Sequence, residues 1–249
     1  MALINKILNR YYKYFGSRRY RKFVIIARSR TGSNLLNSYL NNSSQIIARG
    51  ELFGRIGDKD EKRIWTDIYR KYSSLVCWVG FKLFYQHPVD SDSKFVWNQI
   101  KKDQSILIIH LTRDNKVRAE LSRLIAFKTK KWAANTSKPN FEKAILEDKK
   151  IKLDVDSFLD EIQSVVNYEN YIRQEYSNHK IIEITYEQLT KNPNKTIGEI
   201  RKEFDIDSFK IKTPLAKQNT ESIEDLVINF EELEKKLSGT QFYSNLSEL

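Results

Sequence analysis

The sequence predicts an α/β domain of three layers, with a mostly parallel central sheet covered by helices on both faces. Two observations carry this. Short apolar runs rich in β-branched residues recur along the chain: FVIIA at 23–27, LVCWVGFKLF at 75–84, SILIIHL at 105–111 and KIIEIT at 180–185. Longer stretches of helical periodicity separate them, and strands alternating with helices build parallel sheets. The third run is apolar at nearly every position, as expected of a strand buried on both sides.

The elements follow in order. Residues 1–22 set Ile4, Ile7, Leu8, Tyr11, Tyr12 and Phe15 against Lys6, Arg10, Lys13, Arg18, Arg19, Arg21 and Lys22. That reads as a basic amphipathic segment, suited either to an anionic membrane surface or to packing on its own domain. The strand at 23–27 leads through a polar turn into a helix near 33–42, then a short strand at 45–48 and a loop at 49–53. Helices are expected over 59–73 and 94–102, on either side of the strand at 75–84. The strand at 105–111 runs into Thr112-Arg113-Asp114-Asn115 and a helix over 115–130, with Asp114 or Asn115 as its cap. Residues 134–152, polar and lysine-rich, read as a mobile loop. Helices over 154–177 and 193–204 flank the strand at 180–185, and 220–237 has helical charge patterning.

Four prolines and eight glycines in 249 residues leave little room for linkers, so 23–249 is expected to be a single domain. Cys77 is the only cysteine, which excludes an intrachain disulfide and a cysteine zinc cluster. Three scattered histidines give no metal-ligand spacing. No apolar run reaches membrane-spanning length and the N-terminus lacks a signal-peptide core, so a cytoplasmic protein is expected. A net charge of +11 attracts nucleic acid, anionic membrane or small polyanions, and charge alone does not choose among them.

The most informative stretch is FVIIARSRTGSNLL at 23–36, a strand, a tight polar turn and a helix N-terminus. Such a turn offers unpaired N–H groups at the positive end of a helix dipole, and so suits an anion. Gly32 allows close approach, Ser33 and Asn34 add short polar groups, and Arg30 adds a permanent planar charge. The stretch fails the nucleoside-triphosphate pattern, because the first glycine is missing and no lysine follows Gly32. An ordinary strand–helix turn with scattered arginines remains the plain alternative. Ligands of parallel sheets bind at the carboxyl ends of strands, where Arg30, Lys82 and Arg113 all fall. Three cations on one rim favour a ligand with several negative charges; Lys82 by itself would equally suit a lysine reaching solvent.

Several segments in order resemble sulfotransferases that use 3′-phosphoadenosine 5′-phosphosulfate (PAPS), nearest to bacterial carbohydrate sulfotransferases of the nodulation-factor and trehalose-lipid type. RSRTGSNLL resembles the family's 5′-phosphosulfate loop, with Arg30, Thr31, Gly32, Ser33 and Asn34 in its places. HLTRDNKVRAELSRL resembles the 3′-phosphate segment, filled here by Arg113 and Ser122; the plain reading of Ser122 is a helix-surface hydroxyl. ITYEQLTKNP is similar to the segment whose tyrosine contacts adenine, so Tyr186 is that tyrosine or else a core aromatic. LAKQNTESIEDLVINFEEL resembles the segment that closes over the nucleotide, with Lys217, Gln218 and Asn219 as its contacts.

The resemblance implies a P-loop-like fold and metal-independent transfer of a sulfuryl group from PAPS to a hydroxyl or amine, leaving 3′-phosphoadenosine 5′-phosphate (PAP). It implies a carbohydrate or glycolipid acceptor and no nucleic-acid partner. A cation must meet the leaving phosphate, for which Arg30 is the candidate, and Lys82 is placed to meet the sulfuryl oxygens. The acceptor needs a base. Glu51, in RGELF, is favoured over His87, because the place two residues beyond Lys82, where aryl-type members carry histidine, holds Phe84. The competing functions are a nucleotide phosphotransferase and a noncatalytic polyanion-binding protein. Acceptor choice is expected to lie in the loops 54–74 and 130–152.

Overall fold

A computed structural model describes residues 11–132, 134–135, 145–216 and 219–247. Its centre is a five-stranded sheet of β1 (Arg21–Ala27), β2 (Ile46–Ala48), β3 (Trp78–Phe84), β4 (Leu107–Thr112) and β6 (Ile181–Thr185), in the order β2-β3-β1-β4-β6. Every pairing in it is parallel, so all carboxyl ends share one rim. A small antiparallel pair, β5 (Ala134–Asn135) with β7 (Leu215–Ala216), lies apart from it.

Alternation along the strands divides the core into two faces. Val24 and Ile26 of β1, with Val79, Phe81 and Leu83 of β3, pack beneath α3 (Phe95–Lys102) and α6 (Val155–Glu175). Phe23, Ile25 and Ala27, with Trp78 and Phe84, pack beneath α1 (Ser33–Leu40) and α8 (Pro193–Phe204). Trp78 stacks on Phe204 with ring centroids 4.1 Å apart and donates its indole N–H to the Phe204 carbonyl. Gly80 is obligatory where β1 and β3 meet: a Cβ there would stand 2.3 Å from the Phe23 carbonyl oxygen. A third cluster joins α4 (Lys116–Thr129) and the first half of α6 to Ile223, Leu226, Leu233 and Leu237 of the C-terminal segment.

The three-layer expectation is met, with differences in detail. The 75–84 run is strand only from Trp78, and the helix expected over 59–73 is α2 (Glu61–Ile68), ended by the turn that carries Tyr69 and Tyr72 into the core. Tyr186 follows β6 directly as the first residue of a short helix, α7 (Tyr186–Lys191), started by a capping box between Thr185 and Gln188. The 134–152 region contains a helical turn, α5 (Leu146–Lys149), and residues 136–144 are not among those described. The N-terminal segment merges into the domain: Ser17 pairs with Tyr72 through two backbone hydrogen bonds, and Arg21 and Lys22 already belong to β1. Among the described residues no helix is long and apolar enough to cross a membrane.

Candidate active site

The polar turn leaves β1 at the centre of the rim, where the strand order switches from β3 on one side to β4 on the other. Two of its residues take left-handed backbone, Arg30 at φ 71° and Gly32 at φ 83°. Gly32 is the N-cap of α1 and provides no capping side chain, so the first N–H groups of α1 face the rim without a side-chain acceptor from that position. Its missing side chain also makes room for Tyr186: a Cβ would meet Tyr186 Cδ2 at 2.7 Å. Buried Thr31 steadies the turn by donating its hydroxyl to the Arg28 carbonyl at 2.8 Å.

Beside this turn opens a cleft of about 790 Å³, walled by the turn, the start of α4, α7, and Thr213, Leu215, Ala216 and Asn219. Arg30, Arg113, Arg118 and Ser122 all line it. Arg30 Nε donates to Ser122 Oγ at 3.0 Å, and its Nη1 donates to the Trp132 carbonyl. Arg113 donates to the Arg30 carbonyl at 3.1 Å, and its guanidinium lies 4.4 Å from the centre of the Tyr186 ring. Asn219 donates to Ser122 Oγ at 3.1 Å, bringing the C-terminal segment over the cleft. Lys217 and Gln218 lie outside the described residues.

Arg118 is the residue that sequence reasoning missed. It lies on α4 between Arg113 and Ser122 and is 4% exposed. Its Nη2 donates to the carbonyls of Asn219 and Glu221, while among the described residues Nε and Nη1 are buried without a hydrogen-bond partner. Arg113 Nε likewise has no hydrogen bond there, with Glu187 Oε1 3.9 Å away. Burial lowers the pKa of all three guanidinium groups, and Arg30 falls to about 10 because Arg113 adds its repulsion. An anion in the cleft would relieve such an arrangement. Spacing held the signal, since Arg118 lies one turn before Ser122, on the same face of a capped helix. Arg28 differs: it is held by Glu161 at 2.7 Å, with Glu120 at 3.6 Å, and serves to join the turn to α4 and α6.

A second group of residues sits where β3 meets the loop after β2. The β2–β3 pairing continues past the strand, with Arg49 N–H bonding the Gly80 carbonyl and Lys82 N–H bonding the Gly50 carbonyl. That register sets Gly50 opposite Lys82, with Glu51 the next residue along. The Lys82 ammonium, 2% exposed, donates to Glu51 Oε1 at 2.9 Å and to Asn34 Oδ1 on α1. Lys82, Asn34 and Glu51 thus stand together on the face that α1 covers.

His87 is close by but committed elsewhere. The Phe84 N–H donates to its Nδ1 at 3.1 Å, so the neutral ring carries its proton on Nε2. Burial lowers its pKa to about 4, against the attraction of Glu51 and with the help of Lys82. Among the described residues no cluster of His, Cys, Asp or Glu is arranged to hold a metal.

A parallel sheet with an anion-binding turn at its switch point, an arginine-lined cleft and a lysine–glutamate pair beside it defines a group-transfer enzyme acting on an anionic group. Residues 83–232 match the Stf0 sulphotransferase family, and the chain belongs to that family and is a sulfotransferase. It is similar to nodulation protein H of Rhizobium tropici, at 24% identity over 235 residues, 87% of this chain and 89% of that protein. The fold is similar to a crystal structure of a sulfotransferase from Alicyclobacillus acidocaldarius, with TM-score 0.55 and 10% identity, over 90% of this chain and 92% of that one.

Proposed function

We propose that the chain transfers a sulfuryl group from PAPS to a hydroxyl or amine of a carbohydrate or glycolipid acceptor. The observation that carries the donor is the set of buried guanidinium nitrogens on Arg113 and Arg118 that have no hydrogen-bond partner among the described residues, beside the Gly32 turn. Two anion sites on one cleft suit a nucleotide phosphorylated at both ends. The turn at 30–34 and the N-terminus of α1 would hold the 5′-phosphosulfate. Arg113, Arg118 and Ser122 would hold the 3′-phosphate. Tyr186 lines the same cleft where adenine would lie, and it stands outside the buried core. Asn219, with Lys217 and Gln218, would close over the nucleotide.

Bound PAPS supplies the sulfuryl group, whose bond to the bridging phosphate oxygen breaks as PAP leaves. Arg30 stabilises the charge developing on that phosphate. It is raised on a left-handed residue and now bonded to Ser122 and Trp132, so it must turn toward the phosphate to act. Lys82 faces the sulfuryl oxygens. As it does so, its hold on Glu51 loosens, and the carboxylate takes the proton from the acceptor hydroxyl. Glu51 is supported over His87 because the histidine's Nδ1 already accepts the Phe84 N–H and its Nε2 carries the proton, so the neutral ring has no lone pair left for the acceptor's proton.

Calorimetry in chelator, comparing PAP with ATP, tests this reading. PAP should bind without magnesium and more tightly than ATP, which lacks a 3′-phosphate. Equal affinities, or an absolute requirement for metal, would count against it.

A further inference from the structure

A second cavity, about 810 Å³, lies on the opposite face of the sheet, between α3 and α6. It begins at the rim, where Gln86 and His87 follow β3, and runs down to the Lys101–Glu175 ion pair. Its walls are aromatic: Tyr85, Trp97, Tyr168 and Tyr171. Tyr85 and Tyr168 are stacked, 5.6 Å apart and 11° from parallel. Tyr171, one turn along α6, is 51% exposed.

Tyr85 is held rigidly from behind. Its hydroxyl donates to His110 Nε2 at 2.9 Å, and His110 Nδ1 donates to Glu183 at 3.0 Å. Trp97 is fixed through its indole N–H, which donates to the His87 carbonyl at 2.8 Å. The aromatic walls are therefore set before any ligand arrives. Amides of Gln86 and Asn98 stand among them. Flat rings beside neutral donors and acceptors suit a ligand with apolar C–H faces and a belt of hydroxyls. The charges in the lining balance, Lys94 and Lys101 against Asp92 and Glu175, and Lys101 is already paired with Glu175, so a polyanion finds no net positive charge to hold it.

The cavity ends at His87, whose ring feels the charges of both Glu51 and Lys82. His87 forms its lip, and on the other side the ring meets the loop that carries Glu51: a Cβ at Gly54 would stand 3.3 Å from His87 Cε1. A ligand lying in the groove and crossing the lip would reach Glu51 and Lys82.

From this geometry we infer that the α3–α6 groove binds neutral sugar rings of the acceptor, stacked on Tyr168 and Tyr171, while the hydroxyl to be sulfated crosses His87. The inference rests on the reading that the acceptor carries sugars. It places acceptor selection on α3 and α6, away from the 54–74 and 130–152 loops expected from the sequence.

The test is heteronuclear NMR of the full chain, free and saturated with PAP, titrated with cellotetraose, maltotetraose and chitotetraose. At least one oligosaccharide should shift the signals of Gln86, Tyr168, Tyr171 and the Trp97 indole. Tyr168→Ala and Tyr171→Ala, at exposed positions that folding tolerates, should each weaken that binding about three- to tenfold, with PAP affinity unchanged. Three results overturn the inference: no oligosaccharide binds, the shifts gather in 54–74 or around Trp132, or binding survives both substitutions. Failure of PAP to bind instead strikes the donor assignment, and the groove is then judged by the PAP-free titration.

Discussion

Replacing Arg118 by methionine should affect the bound and free proteins differently. Methionine keeps the unbranched apolar stem and suits a helix interior, so α4 should persist. In the free protein the guanidinium is buried, and only Nη2 has hydrogen-bond partners, the carbonyls of Asn219 and Glu221. Removing it loses those bonds but also removes a poorly solvated charge. The two effects oppose, and free stability should change by no more than about 1 kcal/mol. In the complex, Nε and Nη1 would face a phosphate. Charge-assisted hydrogen bonds contribute roughly 1.5–3 kcal/mol, and a two-nitrogen fork is expected to lose about 2–4 kcal/mol. That corresponds to a rise in the PAP dissociation constant of about 30- to 900-fold. Calorimetry with PAP gives the affinity, and urea unfolding with and without PAP gives both stabilities. A folded variant that binds PAP within about threefold of wild type would refute the phosphate role. A loss of several kcal/mol in the free protein would show Arg118 to be a structural strut instead.

Glu51→Gln should lower single-turnover transfer at saturating PAPS by about 10²–10⁴-fold while PAPS affinity stays nearly constant. If it transfers at the wild-type rate while His87→Ala is inactive, the base assignment is wrong. Gly32→Ala forces a side chain onto a φ of 83° and against Tyr186. It should cost roughly 1–3 kcal/mol of stability and weaken PAP binding as well, and unchanged urea midpoints and affinity would contradict the packing described. His87 should make the fold sensitive to acid, because its pKa is lowered from 6.5 to about 4. Below pH 6.5 the unfolded chain takes up a proton that the fold refuses. Stability should therefore drop as pH falls, by on the order of 3 kcal/mol once pH is below 4. His87→Gln should lack that component, so urea midpoints of equal pH dependence in variant and wild type would exclude it.

Much of this fold was legible in local patterns. The apolar runs at 23–27 and 105–111 are strands because β-branched residues in a continuous run suit a sheet buried on both faces, and the run at 180–185 is the half-exposed edge strand beside them. Asn115 was recognisable as a cap, and its side chain does accept the Arg118 N–H. The Gly32 turn announced itself through one glycine among short polar residues between a strand and a helix. These are properties of neighbouring residues, and a sequence carries them directly.

The roles of the arginines are not local. Arg28, Arg30, Arg113 and Arg118 look alike as letters. The fold delivers Glu161 and Glu120 to Arg28, from 133 and 92 positions along the chain, and so makes it structural. Among the described residues it brings no carboxylate into an ion pair with Arg118, two of whose buried nitrogens have no hydrogen-bond partner. Likewise, Tyr85, Trp97, Tyr168 and Tyr171 become one groove only because α3 and α6 cover the same face of the sheet. The sequence by itself determined which segments are strands, which turn has the shape to receive an anion and which residues are charged. The tertiary structure alone decided which charges are neutralised and which are left to bind, because a side chain's partner is set by the packing of elements far apart in the chain.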